Sequence, residues 1–134
     1  MSEADTLAVH EAVREFIEAF DNLDWERFRQ CFAPDATVFF PFDIYPRRAN
    51  GKEDVEAGFK RFFDEVRTQA AGPPYLHFVP KDITVQIWHD IALVTYHLDR
   101  PEGVGRRTSL WQKQAHRWRI VHLHASTITP SRPH

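Results

Sequence analysis

Residues 83–98 read Ile83-Thr84-Val85-Gln86-Ile87-Trp88-His89-Asp90-Ile91-Ala92-Leu93-Val94-Thr95-Tyr96-His97-Leu98. Two runs rich in β-branched and aromatic side chains meet at the polar pair His89-Asp90, the pattern of two antiparallel strands joined by a tight turn. Downstream, Arg100-Pro101-Glu102-Gly103 marks a second turn. Arg106 to Gln114 then reads as a further strand and Trp118 to Thr127 as the last. Upstream, Tyr75 to Val79 also reads as a strand. The second half of the chain is therefore expected to be an antiparallel meander.

Before Gly72-Pro73-Pro74 the apolar period changes to that of a helix. Leu7, Val13, Phe16, Ile17 and Phe20 predict a helix over 6–20, capped by Asp5 or Thr6. Asp24 caps a second helix with Trp25, Phe28 and Phe32 on one side, which Pro34 stops. Ala36 to Phe40 is a short strand ended by Pro41, and residues 41–50 read as a loop. A third helix runs from Gly51 to about Ala71 through Val55, Phe59, Phe62, Phe63 and Val66. Three helices followed by antiparallel strands define an α+β domain. With no internal repeat or linker, residues 1–134 are expected to form one such domain. Helices on one face of a curved sheet enclose a concave space where pockets form.

The chain has 134 residues, 43% hydrophobic and 27% charged, a globular composition. Its one cysteine, Cys31, excludes an intramolecular disulfide and a Cys-rich zinc site, and its helical neighbours Phe28 and Phe32 make it a small buried hydrophobe. No apolar run approaches the ~20 residues that span a bilayer. The acidic start Met1-Ser2-Glu3-Ala4-Asp5 is unlike a signal peptide, so no membrane partner and a cytoplasmic location are expected. The net charge of −2 hides an asymmetry: residues 1–66 carry 8 basic and 15 acidic side chains, residues 67–134 carry 9 and 4. The arginines form no continuous block, so no nucleic-acid partner is expected. With only five glycines and no phosphate-cradling loop, no cofactor is expected either. Eleven Phe, four Trp and three Tyr must fill a core or line an apolar pocket.

The order of these elements, with four local strings, resembles the nuclear transport factor 2-like superfamily and, within it, the SnoaL-like domains. The strings are Phe32-Ala33-Pro34-Asp35-Ala36-Thr37-Val38, Asn50-Gly51-Lys52-Glu53-Asp54-Val55, Asp90-Ile91-Ala92-Leu93-Val94-Thr95-Tyr96, and Trp111-Gln112-Lys113 with Arg117 to Ser126. The last is similar to the association domain of calcium/calmodulin-dependent kinases. The resemblance covers roughly residues 6–127 and implies a cone: three N-terminal helices on a strongly curved, mostly antiparallel sheet enclosing a pocket. The superfold carries enzymes, transport factors and assembly hubs alike, so function rests on the site. At the positions where ketosteroid isomerases hold a tyrosine, a proton-shuttling aspartate and a protonated acid, this chain has Phe16, Phe40 and Ser109. Phe16 and Phe40 cannot hold a proton, so ordinary isomerase chemistry is excluded. At the association domain's cavity arginines it has Thr95, Ser109 and Ala125.

These matches imply that Thr95, Ser109 and Ala125 face the cavity. Alternation then adds Leu93, His97 and Asp99 on one strand, Arg107 and Trp111 on the next, and Val121 and Leu123 on the last. The expected site is a small apolar molecule held by Phe16, Phe20, Phe40 and Trp111, with Thr95, Arg107 and Ser109 as polar contacts. His97 is the candidate general base, oriented by Asp99, for isomerisation, cyclisation or dehydration. An ion pair tying the hairpin near the pocket mouth is the structural alternative for that cluster. On the same phase His122 and His124 point outward, so no metal site is expected. The outer row Thr108, Leu110, Gln112, His122, His124 and Ser126 suits a homodimer contact. A non-catalytic association domain is the alternative function.

Overall fold

The structure is a computed structural model that describes residues 2–42 and 44–129. Helix α1 spans Glu3–Asp21. It starts before the expected caps because the Ser2 hydroxyl accepts from the Asp5 amide at 3.0 Å, and Glu3 and Asp5 place negative charge at the positive end of the helix dipole. Val9, Val13, Phe16 and Ile17 make its buried face. Helix α2, Trp25–Arg29, is capped by Asp24, and α3 covers Gly51–Gln69, burying Val55, Phe59 and Phe63.

The strands are β1 Phe32–Phe39, β2 Ala49–Asn50, β3 Lys81–Trp88, β4 Ile91–Arg100, β5 Gly103–Gln114 and β6 Arg117–Ile128. They form one six-stranded sheet in the order β2-β1-β6-β5-β4-β3. Only the β1/β6 pair is parallel. The helices pack on one face, giving the expected α+β cone.

Two local readings change. Phe32 opens β1 instead of closing a helix, and Pro34 sits inside the strand. The β1/β6 register breaks between Phe32 and Thr37, and a missing amide is tolerated at such a bulge. Tyr75 to Val79 is not a strand. The Tyr75 amide donates to the Asp21 carbonyl at 2.7 Å and the Phe78 amide to the Asp21 carboxylate at 2.9 Å, so the end of α1 satisfies this segment instead of a neighbouring strand.

Three two-residue turns set the register of the meander: Trp88 pairs Ile91, Arg100 pairs Gly103, and Gln114 pairs Arg117. The β4/β5 ladder then places Val94 opposite Ser109 and Tyr96 opposite Arg107. On β6 the register steps at Val121, which is left without a partner, so that Ile120 and Leu123 are both buried although three apart. The narrow end of the cone is filled by rings. Phe28 lies 4.9 Å from both Phe59 and Phe63, and Phe16 lies 5.3 Å from Phe28 and 6.1 Å from Trp111. These spacings are those of favourable stacked, tilted and edge-to-face pairs.

Candidate functional site

Partners across an antiparallel pair share a face, so the β4/β5 register decides which side chains enter the cone. Ser109, Trp111 and Arg107 point inward as expected. Their neighbours on β4 are then Ala92, Val94, Tyr96 and Leu98, all buried. Thr95, His97 and Asp99 lie on the outer face, and the last two are exposed. The expected inward phase of β4 is thus corrected. Ser109 and Thr95 cannot both face the cavity, because the two-residue turn pairs Ser109 with Val94. His97 stands in an outer row between Lys81 and Arg106 and lines neither the cleft nor the groove described below. Val121 is the bulged residue, and Ile120 takes its inward place.

Phe16, Ser109 and Trp111 face the interior but do not line the cleft at the cone's open end; Trp111 borders a separate, smaller pocket beside Cys31 and Trp118. Phe16 packs against Phe20, Phe28, Phe32 and Trp111. Trp111 donates its indole N–H to the Ser109 hydroxyl at 2.8 Å, so the two satisfy each other inside the core. The position where isomerases keep a catalytic acid is here a buried hydrogen-bond partner for an indole.

The open space lies nearer the wide end. A cleft of about 300 Å³ is lined by Phe20, Phe40, Phe42, Phe59, Phe62 and Phe78, with Val38, Leu123 and Ala125 from the sheet. Of the residues expected at the ligand, Phe20, Phe40 and Arg107 line it. Phe40 lies 4.9 Å from Phe59 and 5.2 Å from Tyr45, and helix α3 makes room for it with Gly58, where a Cβ would come within 2.5 Å of the Phe40 ring. Phe78 enters the cleft because the Tyr75–Val79 segment docks on α1.

The charged side chains at the cleft are Arg100, Glu102 and Arg107. Arg100 stacks over the Phe78 ring at 4.9 Å, donates to the Leu76 carbonyl at 3.4 Å and meets the Glu102 carboxylate at 3.8 Å. Arg107 donates from Nη1 to the carbonyls of Ser126 at 2.9 Å and Arg106 at 3.1 Å. Burial pulls the Arg107 guanidinium below its ordinary range, Tyr96 opposes this, and the like charge of Arg100 adds to it. Burial pushes the Tyr96 phenol up to about 12. Among the described residues no three His, Cys, Asp or Glu side chains come together as metal ligands. His122 instead shares a 2.7 Å hydrogen bond with Thr37 on the outer face. A larger groove of about 600 Å³ runs between α1 and β3, but its walls carry Arg14 and Glu18, already paired at 2.6 Å.

With this arrangement of sheet, helices and cleft, comparison places the chain within a known class. The SnoaL-like domain family matches residues 9–130, and the chain belongs to it. A nuclear transport factor 2-like protein of unknown function from Pseudomonas putida KT2440 is 19% identical, with 99% of each chain covered and a TM-score of 0.80. A nuclear transport factor 2-like protein from Streptomyces avermitilis, proposed to be a dehydratase, is 17% identical over 97% of this chain and 100% of its own, at 0.81. The association domain of calcium/calmodulin-dependent kinase II from C. elegans is 22% identical over 93% of this chain and 97% of its own, at 0.68. At these identities the likeness is one of fold. No curated protein matches the chain. Among the described residues no helix is long and apolar enough to cross a membrane.

Proposed function

We propose that the protein binds a small, largely apolar molecule in the cleft at the wide end of the cone. The observation that carries this is a cleft of about 300 Å³ walled by six phenylalanine rings, in a fold whose narrow end is already packed. That volume is at the lower end of ordinary ligand sites, enough for one or two fused rings. No imidazole lines the cleft among the described residues. His97 and Asp99 lie on the other side of the sheet, so the reading is of a binding cleft. The putting of a ring on the cleft floor tests it. N-phenyl-1-naphthylamine, a neutral fluorescent probe, is expected to bind the wild type saturably, one per chain. Ala125→Phe, checked by a thermal melt, is expected to weaken it at least about tenfold. Equal binding by a folded variant contradicts the site.

A second reading, self-association, is favoured by the outer sheet face. Its central rows, Gln86-Leu93-Leu110-His122-Thr37 and Thr84-Thr95-Thr108-His124-Phe39, contain no carboxylate, lysine or arginine. Burial holds the His122 imidazole below its ordinary range, with His124 and Arg48 adding to this, which favours the neutral form in that row. Neutral polar and aliphatic rows ringed by Lys81, Arg106 and Arg119 fit an interface core with a charged rim. Light scattering at micromolar concentration is expected to give a multiple of 15.7 kDa, and a monomer mass rejects this reading.

A further inference from the structure

Arg107 stands in the cleft with no counter-charge among the described residues. Its Nη1 is tied to two backbone carbonyls, which fixes the plane of the guanidinium. Its Nε and Nη2 meet no acceptor among the described residues, and the side chain lines the cleft. No carboxylate of the described residues lies within ion-pair distance of it. The other two charges at the cleft, Arg100 and Glu102, face each other at 3.8 Å and cancel. Among the described residues the cleft therefore carries one net positive charge against phenylalanine walls. A guanidinium stays charged under all ordinary conditions, and a partly desolvated charge is stabilised by an opposite charge that also takes up its free N–H groups. The Nε–Nη2 edge is a planar two-donor fork that matches a carboxylate. A dianion would bring a second negative charge toward Glu102, which argues for a single one.

We propose that the molecule bound in the cleft is an aromatic or alicyclic monocarboxylate, its rings among the phenylalanines and its carboxylate on the Nε–Nη2 edge of Arg107. This rests on the cleft being the binding site. It adds one anionic group to the small apolar molecule expected from the sequence.

The test pairs two probes of one shape, 2-naphthoate and its neutral amide 2-naphthamide, in calorimetric titrations at fixed ionic strength. Wild type is expected to prefer the carboxylate by about ten- to a hundredfold, the range of a charge-assisted hydrogen-bonded pair. Arg107→Gln is expected to abolish that preference, and Arg107→Lys, which keeps the charge and loses the fork, to retain a part of it. Equal wild-type affinities for the two probes overturn the monocarboxylate while leaving the cleft as a binding site. A preference that survives in folded Arg107→Gln overturns the role of Arg107. Failure of both probes to bind wild type overturns the cleft reading and this inference together. Because wild type alone reports the preference, the test stands even if a variant does not fold.

Discussion

Phe40 occupies the place where a proton-transferring acid would stand in a ketosteroid isomerase, and here it is part of a wall. It is 7% exposed and touches Phe42, Tyr45 and Phe59. Phe40→Asp is expected to cost about 3 kcal/mol or more, from the lost ring and the buried polar group. Steroid isomerisation should not appear with it, since Phe16 offers no hydroxyl and Ser109 is occupied by Trp111. An assay beside a thermal melt checks both. Cys31 shows burial acting on a titrating group. Its thiol is pushed from an ordinary 9 to about 11 by burial and, secondarily, by Glu15. Between those pH values the unfolded chain releases a proton that the folded chain keeps, so stability falls as pH rises from 9 toward 11. The loss amounts to about 2–3 kcal/mol. Tyr96, raised from 10 to about 12, extends the fall in the same direction. Urea titrations should show the decline between pH 9 and 10 flattened in Cys31→Ala and the fall above pH 10 made shallower but retained through Tyr96.

At the scale of elements, the hairpin β4-β5 carries the cleft's charges and sets its geometry. Gly103 has φ +149, and a Cβ there would lie 2.0 Å from the Ile128 carbonyl oxygen at the end of β6. Gly103→Ala is therefore expected to destabilise by about 2 kcal/mol or more and to loosen the turn that holds Arg100 and Glu102. Denaturant unfolding reads the first effect, and faster amide exchange over residues 98–106 reads the second. The same hairpin shows what was legible in the sequence. Its turn, Arg100-Pro101-Glu102-Gly103, stands in plain view, and a two-residue loop forces residues whose numbers sum to 203 to face each other. That sum puts Ser109 with Val94 and Tyr96 with Arg107. With Ser109 inward, that coupling sends Thr95, His97 and Asp99 outward, against the resemblance that assigned both Thr95 and Ser109 to the cavity. Phe20 was legible from the apolar face of its helix, Phe40 from the resemblance, and Arg107 from alternation with Ser109 on one strand. The docking of Tyr75–Val79 was not, since β-rich composition does not say whether a strand or the end of a helix satisfies its amides. The same composition hid the Val121 bulge.

For the whole molecule, one sheet serves two surfaces: its inner face floors the cleft, and its outer face presents the uncharged rows. Alternation keeps the two apart, so they should respond independently to substitution. Leu110→Arg places a charge in the middle of the outer face, beside Leu93 and His122. It is expected to shift light scattering to the monomer mass while N-phenyl-1-naphthylamine binding stays within about twofold, the additive limit for separated sites. Fold likeness alone does not fix an activity, so the location of the bound molecule is the point on which everything else depends. Methyl NMR maps it directly. On titration with 2-naphthoate, shifts are predicted at Val38, Leu76, Leu123, Ala125 and Thr127, the methyl-bearing residues of the cleft, and not at Val13, Ile17 and Ile83, which line the groove between α1 and β3. Shifts confined to the groove, or none at the cleft at saturating probe, would contradict the account.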